Sequence, residues 1–184
     1  TTLLTAIWAL GALIGFVIAS RAVARGEDAH RISGIGLTIG LPAFGCVLLS
    51  APLQSGDLFG AGAFLIGLGG GYFGVGTLTA AMVLARPGFS GLAIGAWGAV
   101  QATAAGVGVM TAGFLRDGIA AADRAGAFGL APPDPAVGYL FVFGLEVVLL
   151  FAALAVIGPL ARFHASDPTH ADVHAALSGV PPRR

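Results

Sequence analysis

The chain has no lysine, no asparagine, a single cysteine and few charges of either sign. Each shortage excludes something. Charged residues make up 10% of the 184 positions, against roughly 25% in soluble domains, so a water-facing surface of ordinary polarity cannot be built. The nine basic residues, all arginine, are matched by nine acids. The formal net charge is +0, and no basic surface for nucleic acid results. The lone Cys46 excludes a disulfide within the chain, a thiolate pair and a Cys-based zinc site. The histidines, His30, His164, His170 and His174, all fall outside the apolar stretches. Neutral imidazole is the common axial ligand for embedded pigments and haem, and this segment does not offer it at membrane depth. His170 and His174 read as part of a solvated tail, and no metal site is expected. No Ser-His-Asp, H-E-x-x-H or P-loop constellation appears, so the chain does not read as an enzyme. Residues 1–20 lack a positive n-region and a cleavage site, and so do not read as a signal peptide.

What the chain does have is five long, nearly uncharged, glycine-rich apolar stretches: residues 2–20, 32–52, 58–85, 91–115 and 136–161. A hydrocarbon core about 30 Å thick is crossed by about 20 apolar residues in a helix. Backbone groups in lipid must pair internally, which leaves helices or closed barrels. These stretches are too long and too continuously apolar for alternating barrel strands. The expected fold is an all-α membrane protein: a helical bundle over 1–163 and a cytoplasmic tail over 164–184. Asp167–Pro168 and Gly179 predict a short tail helix over Pro168–Leu177. Arginines orient the spans. Arg21, Arg25 and Arg31 mark the first gap as cytoplasmic, Arg86 marks the third, and Arg162, Arg183 and Arg184 mark the tail. The N-terminus of this chain is then periplasmic and its C-terminus cytoplasmic. The chain opens on Thr1 and runs straight into a span, and an odd number of spans with an external N-terminus is unusual. We expect a piece of a larger bundle.

Small residues recur at spacing four: Gly11, Gly15 and Ala19; Gly36 and Gly40; Gly67/Gly71 and Gly70/Gly74; and Gly91, Gly95, Ala99 and Thr103. Spacing four lines one helix stripe, and close backbone approach is what joins helices in lipid. These glycines are therefore expected to pack helices. The consecutive Gly69, Gly70 and Gly71 admit a second reading, a mobile or ligand-adapted backbone. Gly69–Gly74 formally matches G-x-G-x-x-G, but inside a spanning helix it lacks the strand that a dinucleotide site requires.

Polar groups within spans are few. Glu146 sits mid-span, where an acid is costly and faces the bundle interior or a water-filled cavity. Tyr139, Phe143 and Leu150 share its helix face. It reads as a proton-linked carboxylate, a hydrogen-bond partner for a buried ligand, an oxygen ligand to magnesium, or a structural hydrogen bond. Gln101, with Trp97 one turn before it, can pair across helices. Tyr72, Thr77 and Thr79 are further candidates. Arg116–Asp117 closes the fourth span as an interfacial ion pair.

Several stretches resemble the PucC/LhaA family, also called the bacteriochlorophyll delivery family of the major facilitator superfamily. They are Phe73-Gly-Val-Gly-Thr-Leu-Thr-Ala-Ala-Met82, Gly91-Leu-Ala-Ile-Gly-Ala-Trp-Gly-Ala-Val-Gln-Ala-Thr-Ala-Ala-Gly106, Leu115-Arg-Asp117, Gly138-Tyr139, Glu146 and Gly158-Pro159-Leu160. The resemblance implies twelve helices in two halves, this chain supplying the eighth to twelfth, with the N-terminal half and the seventh helix absent. It implies a light-harvesting assembly factor in the intracytoplasmic photosynthetic membrane of a phototrophic bacterium. That factor would handle bacteriochlorophyll for antenna polypeptides, with the reaction centre as a further partner. A groove lined by glycine backbone and aromatic groups, with Glu146 and Gln101 as polar contacts, would hold a flat macrocycle or an antenna helix. Two other readings stay open: a proton-coupled transporter of a small solute, titrating Glu146, and a structural subunit of a photosynthetic complex that binds lipid or pigment passively.

Overall fold

The computed structural model describes residues 2–86, 88–129, 134 and 136–165, with backbone only for 160–165. Every element among them is a helix: α1 (Thr2–Ala24), α2 (Ala29–Ser50), α3 (Gly56–Leu84), α4 (Ser90–Arg124) and α5 (Val137–Ala165). All five are long and apolar enough to cross a membrane. The tail from residue 166, including the expected helix at Pro168–Leu177, lies outside the described residues.

Local sequence explains several boundaries. Asp28 caps α2 by accepting from Arg31 N at 2.9 Å, and Arg31 pairs with Glu27 one turn back. His30 therefore falls in the first turn of α2, and His164 in the last turn of α5, rather than between helices. Ser55 caps α3 by accepting from Leu58 N at 3.2 Å. Pro42 lies inside α2 and Pro159 inside α5. Such prolines are tolerated where neighbouring groups take up the freed backbone.

The fourth helix departs most from expectation. It continues through Arg116 and Asp117 to Arg124 instead of ending at 115. At about 1.5 Å per residue it is about 50 Å long, well beyond a ~30 Å hydrocarbon core. Its last turns carry Asp123, whose Oδ2 accepts from Asp134 N at 2.9 Å. Asp134 in turn accepts from Ala136 N at 2.8 Å. These two bonds tie the end of α4 to the start of α5.

The helices alternate up and down, and α3 lies between α1 and α2. The two sides of α3 use different small-residue repeats. Toward α1, which runs parallel, Gly67 and Gly71 meet Trp8, Ala12 and Phe16, while Gly11 and Gly15 meet Phe64 and Leu68. This is the four-residue spacing legible in the sequence. Toward α2, which runs antiparallel, the repeat is seven. Gly62 faces Ala43, Gly69 faces Gly36, and Gly76 faces Ala29. A Cβ at Gly36 would lie 2.6 Å from Gly69 O and 2.7 Å from Phe73 N. A Cβ at Gly71 would lie 2.5 Å from Ala12 O. No side chain fits at these points.

The triple glycine follows from this arrangement. Successive helical residues turn by about 100°, so Gly69 and Gly71 point to opposite flanks. One meets α2 and the other α1, while Gly70 faces open space. The stretch is a packing device, and the nucleotide-motif match is incidental. Packing at Gly70, Gly74, Gly91 and Gly95 is not found within this chain: a Cβ at any of them would meet nothing within 4 Å. Gly70 and Gly74 lie on the flank of α3 turned away from α1 and α2, and Gly91 and Gly95 lie on α4, whose spanning stretch buries no residue among those described.

Beyond α2 stands α5, with Gly40 against Leu150 and the Phe44 and Phe143 rings 6.2 Å apart. Helix α4 packs on α5, where a Cβ at Gly138 would lie 2.6 Å from Arg116 O. Overpacking a tight site costs about 1–3 kcal/mol or more, whereas a tolerant site changes by less than about 0.5 kcal/mol. Gly71→Val is therefore expected to lower thermal stability and folded yield sharply. Gly60→Ala, whose new Cβ would meet only Ile7 Cδ1 at 3.9 Å, is expected to leave both nearly unchanged. Thermal unfolding of the two full-length variants in detergent checks this.

Candidate functional site

Glu146 lies in the third turn of α5, on the flank that faces both α2 and α4. A cavity of about 410 Å³ opens there. Its walls come from Phe44 of α2, from Gly108, Thr111, Ala112 and Leu115 of α4, and from Val142, Leu149 and Leu150 of α5. The small residues at 108 and 112 leave room on the α4 wall, and Leu150 on the α5 wall packs against Gly40 of α2. Glu146 is partly buried, and its carboxyl has no hydrogen-bond partner among the described residues. Thr111 is the only other polar side chain in the lining. A lone carboxyl in an apolar cavity offers one polar contact and a large apolar contact area. That suits a ligand that is mostly hydrocarbon with a single polar feature. No group of three His, Cys, Asp or Glu side chains able to hold a metal ion exists among the described residues.

The residues expected to share one groove are distributed over five places. Glu146 occupies the cavity just described. Tyr139 and Phe143, on the same helix, line a neighbouring cleft, with ring centroids 6.4 Å apart. Trp97 belongs to the α3–α4 contact, where Nε1 donates to Thr77 Oγ1 at 3.1 Å. Thr77 Oγ1 itself donates to Phe73 O at 2.8 Å. Thr79 bonds back to Val75 O at 2.8 Å and serves its own helix. Tyr72 packs against the buried cluster of Ala19, Ile32 and Val75 in the α1–α2–α3 core. Gln101 is partly buried on α4, makes no side-chain hydrogen bond among the described residues, and does not line the Glu146 cavity.

The Arg116–Asp117 pair is present. Arg116 Nε and Nη2 donate to Asp117 Oδ1 at 2.9 and 2.6 Å. Arg116 also reaches α5: Nη1 donates to Tyr139 OH at 3.1 Å, and the guanidinium carbon stands 5.3 Å from the Tyr139 ring centroid. The pair is thus a clamp between α4 and α5 as well as a polar marker at the end of the span. Phe44, Thr111 and Leu149 went unread in the sequence. Phe44 follows Gly40 by one turn on the α5-facing stripe, and that spacing is the signal that points to it.

Comparison with known proteins gives a consistent result. A family model described as PUCC protein matches residues 1–165. The chain is 51% identical over 162 residues to an uncharacterized protein of the puhA-bchM intergenic region of Rhodobacter capsulatus. It is 44% identical over 162 residues to Protein PucC of Cereibacter sphaeroides and 46% identical over 164 residues to Protein PucC of Rhodobacter capsulatus. Each alignment covers 88% of this chain and 34% of the relative, so the chain spans about a third of the length of these relatives. No solved structure gives a significant match.

Among the described residues the Trp97–Thr77 bond is the one side-chain hydrogen bond between α3 and α4, and its worth is measurable. Interhelical hydrogen bonds in membranes contribute about 0.5–1.5 kcal/mol. A double-mutant cycle with Trp97→Phe and Thr77→Val is expected to return a coupling energy in that range. A coupling near zero would show that the bond does not hold α4 in place.

Proposed function

This chain belongs to the PucC family, and on that premise we propose that it is part of a light-harvesting assembly factor of a phototrophic bacterium. In this reading it is not an enzyme. It holds bacteriochlorophyll in transit to antenna polypeptides, with the reaction centre as a further partner, in the photosynthetic membrane. The observation that carries the proposal is the unpartnered Glu146 carboxyl in an apolar cavity at membrane depth, with Phe44 in its wall. An apolar macrocycle with polar carbonyls at its rim and a magnesium ion at its centre matches that lining. Glu146, when protonated, donates to a peripheral carbonyl, and when ionised offers a carboxylate oxygen of the kind magnesium accepts. The flat Phe44 ring and the backbone at Gly108 offer surfaces for a planar ligand. A cavity of about 410 Å³ takes one edge of a macrocycle, which leaves the rest exposed for onward transfer.

We place further helices of the same fold, including the N-terminal half, against α4, whose spanning stretch buries nothing among the described residues. The relatives, about three times as long, have the length to supply them. Arg21, Arg25 and Arg31, in and around the turn from α1 to α2, support a periplasmic N-terminus for this chain, and with the up-and-down alternation they favour the cytoplasmic side for Ala165.

The test is Glu146→Gln in the full-length protein, expressed in its phototrophic host. The expected result is a several-fold loss of bacteriochlorophyll copurifying with the protein and a lower antenna content. Normal assembly and normal pigment retention would remove Glu146 from the mechanism. Solute uptake by proteoliposomes that follows a pH gradient would favour the transporter reading instead.

A further inference from the structure

On the far side of Phe143 from the Glu146 cavity, two apolar cavities of about 410 and 450 Å³ share Val47, Phe59 and Phe143, and so form one cleft. It lies among α1, α2, α3 and α5 at the end of the bundle where α2 stops and α3 and α5 start. Tyr139 is at its mouth and Ile66 at its inner end. Ile66 is ten residues beyond Gly56, the start of α3. At 1.5 Å per residue the cleft therefore runs about 15 Å inward, which is half of a ~30 Å core, or one leaflet. Its hydroxyl side chains are already engaged. Ser50 Oγ donates to Val47 O at 2.6 Å, and Thr5 has a partner of its own. Apart from the indole N–H of Trp8 the cleft offers no unengaged polar side chain, and its depth is that of an acyl chain.

The mouth is different. Tyr139 lines the cleft with its ring and accepts from Arg116 with its hydroxyl. A guanidinium has five N–H groups. Arg116 uses one each from Nε, Nη1 and Nη2, which leaves two unengaged. Both of its bonds to Asp117 go to Oδ1, so Oδ2 is free and the Asp117 side chain is 69% exposed. A donor pair for a phosphate and an acceptor for an ammonium thus stand side by side above an acyl-sized cleft. Arg116 and Asp117 together carry no net charge, which does not favour an anionic headgroup over a zwitterionic one.

We propose that this cleft binds an aminophospholipid of the phosphatidylethanolamine type, with its phosphate on Arg116, its ammonium on Asp117 and one acyl chain along Phe143 and Phe59. The site is independent of the Glu146 cavity and of any pigment bound there.

The test uses the full-length protein, stripped of lipid in detergent and then offered mixed micelles of phosphatidylethanolamine or phosphatidylglycerol. Native mass spectrometry reads bound lipid, and thermal unfolding reads stabilisation. Wild type is expected to retain phosphatidylethanolamine several-fold over phosphatidylglycerol. Asp117→Asn, on an exposed position, is expected to abolish that preference, and Arg116→Gln to lose both lipids. Equal or greater retention of phosphatidylglycerol by wild type, or an unchanged preference in Asp117→Asn, overturns the proposal. Should Arg116→Gln fail to fold, the wild-type preference and the Asp117→Asn variant decide alone.

Discussion

The contact of glycine backbone with neighbouring backbone on both flanks of α3 is the constraint from which the rest follows. Lipid gives helices no hydrophobic reason to associate, so association depends on close packing and the few hydrogen bonds available. The parallel neighbour α1 is met at four-residue spacing through Gly67 and Gly71, and the antiparallel neighbour α2 at seven-residue spacing through Gly62, Gly69 and Gly76. Two repeats with different periods can occupy one helix because they use different flanks. The consecutive glycines at 69–71 mark where the repeats cross. Where helices touch through backbone they leave no room between them, which makes the middle of α1, α2 and α3 a tight slab.

The other two helices are held differently. Helix α5 reaches the slab through larger side chains, Leu150 on Gly40 and Phe143 on Phe44. Helix α4 reaches it through Trp97 on Thr77 and leans on α5 through the Arg116–Tyr139 clamp. Packing with larger side chains leaves gaps: the Glu146 cavity lies between α4 and α5, and the second cleft lies where Phe143 of α5 meets the ends of α1, α2 and α3. Phe143 lies between them, edging the Glu146 cavity through its contact with Phe44 and lining the deeper cleft itself. The two proposed ligand spaces thus border the same stretch of α5.

Much of this was legible in the sequence, for identifiable reasons. Five apolar runs gave five helices because length and composition alone decide whether a helix crosses lipid. The family was legible from the motifs around Gly91–Gly106 and Leu115–Asp117, and the family model covers 1–165. The four-residue stripes on α1 and one flank of α3 were legible because both partners are present in the chain. The seven-residue repeat at Gly62, Gly69 and Gly76 was equally visible but overshadowed by Gly70 and Gly74, which share its neighbourhood and face nothing here. The length of α4 beyond Arg116–Asp117 was not legible, because a charged pair at the membrane surface marks the edge of a span without stopping the helix. The scatter of Gln101, Trp97 and Tyr72 away from Glu146 was not legible. Which helix flank faces which neighbour depends on contacts between helices, and the spacing of a single helix does not contain it.

The central claim, that α3 touches both neighbours through backbone, is tested most directly by helix separations in an experimental density map of the full-length protein. The account predicts that the α1–α3 axes near Gly67 and the α2–α3 axes near Gly69 approach closer than the roughly 8–10 Å usual when side chains intervene. Separations within that ordinary range at either point, with side chains filling the space, would contradict it.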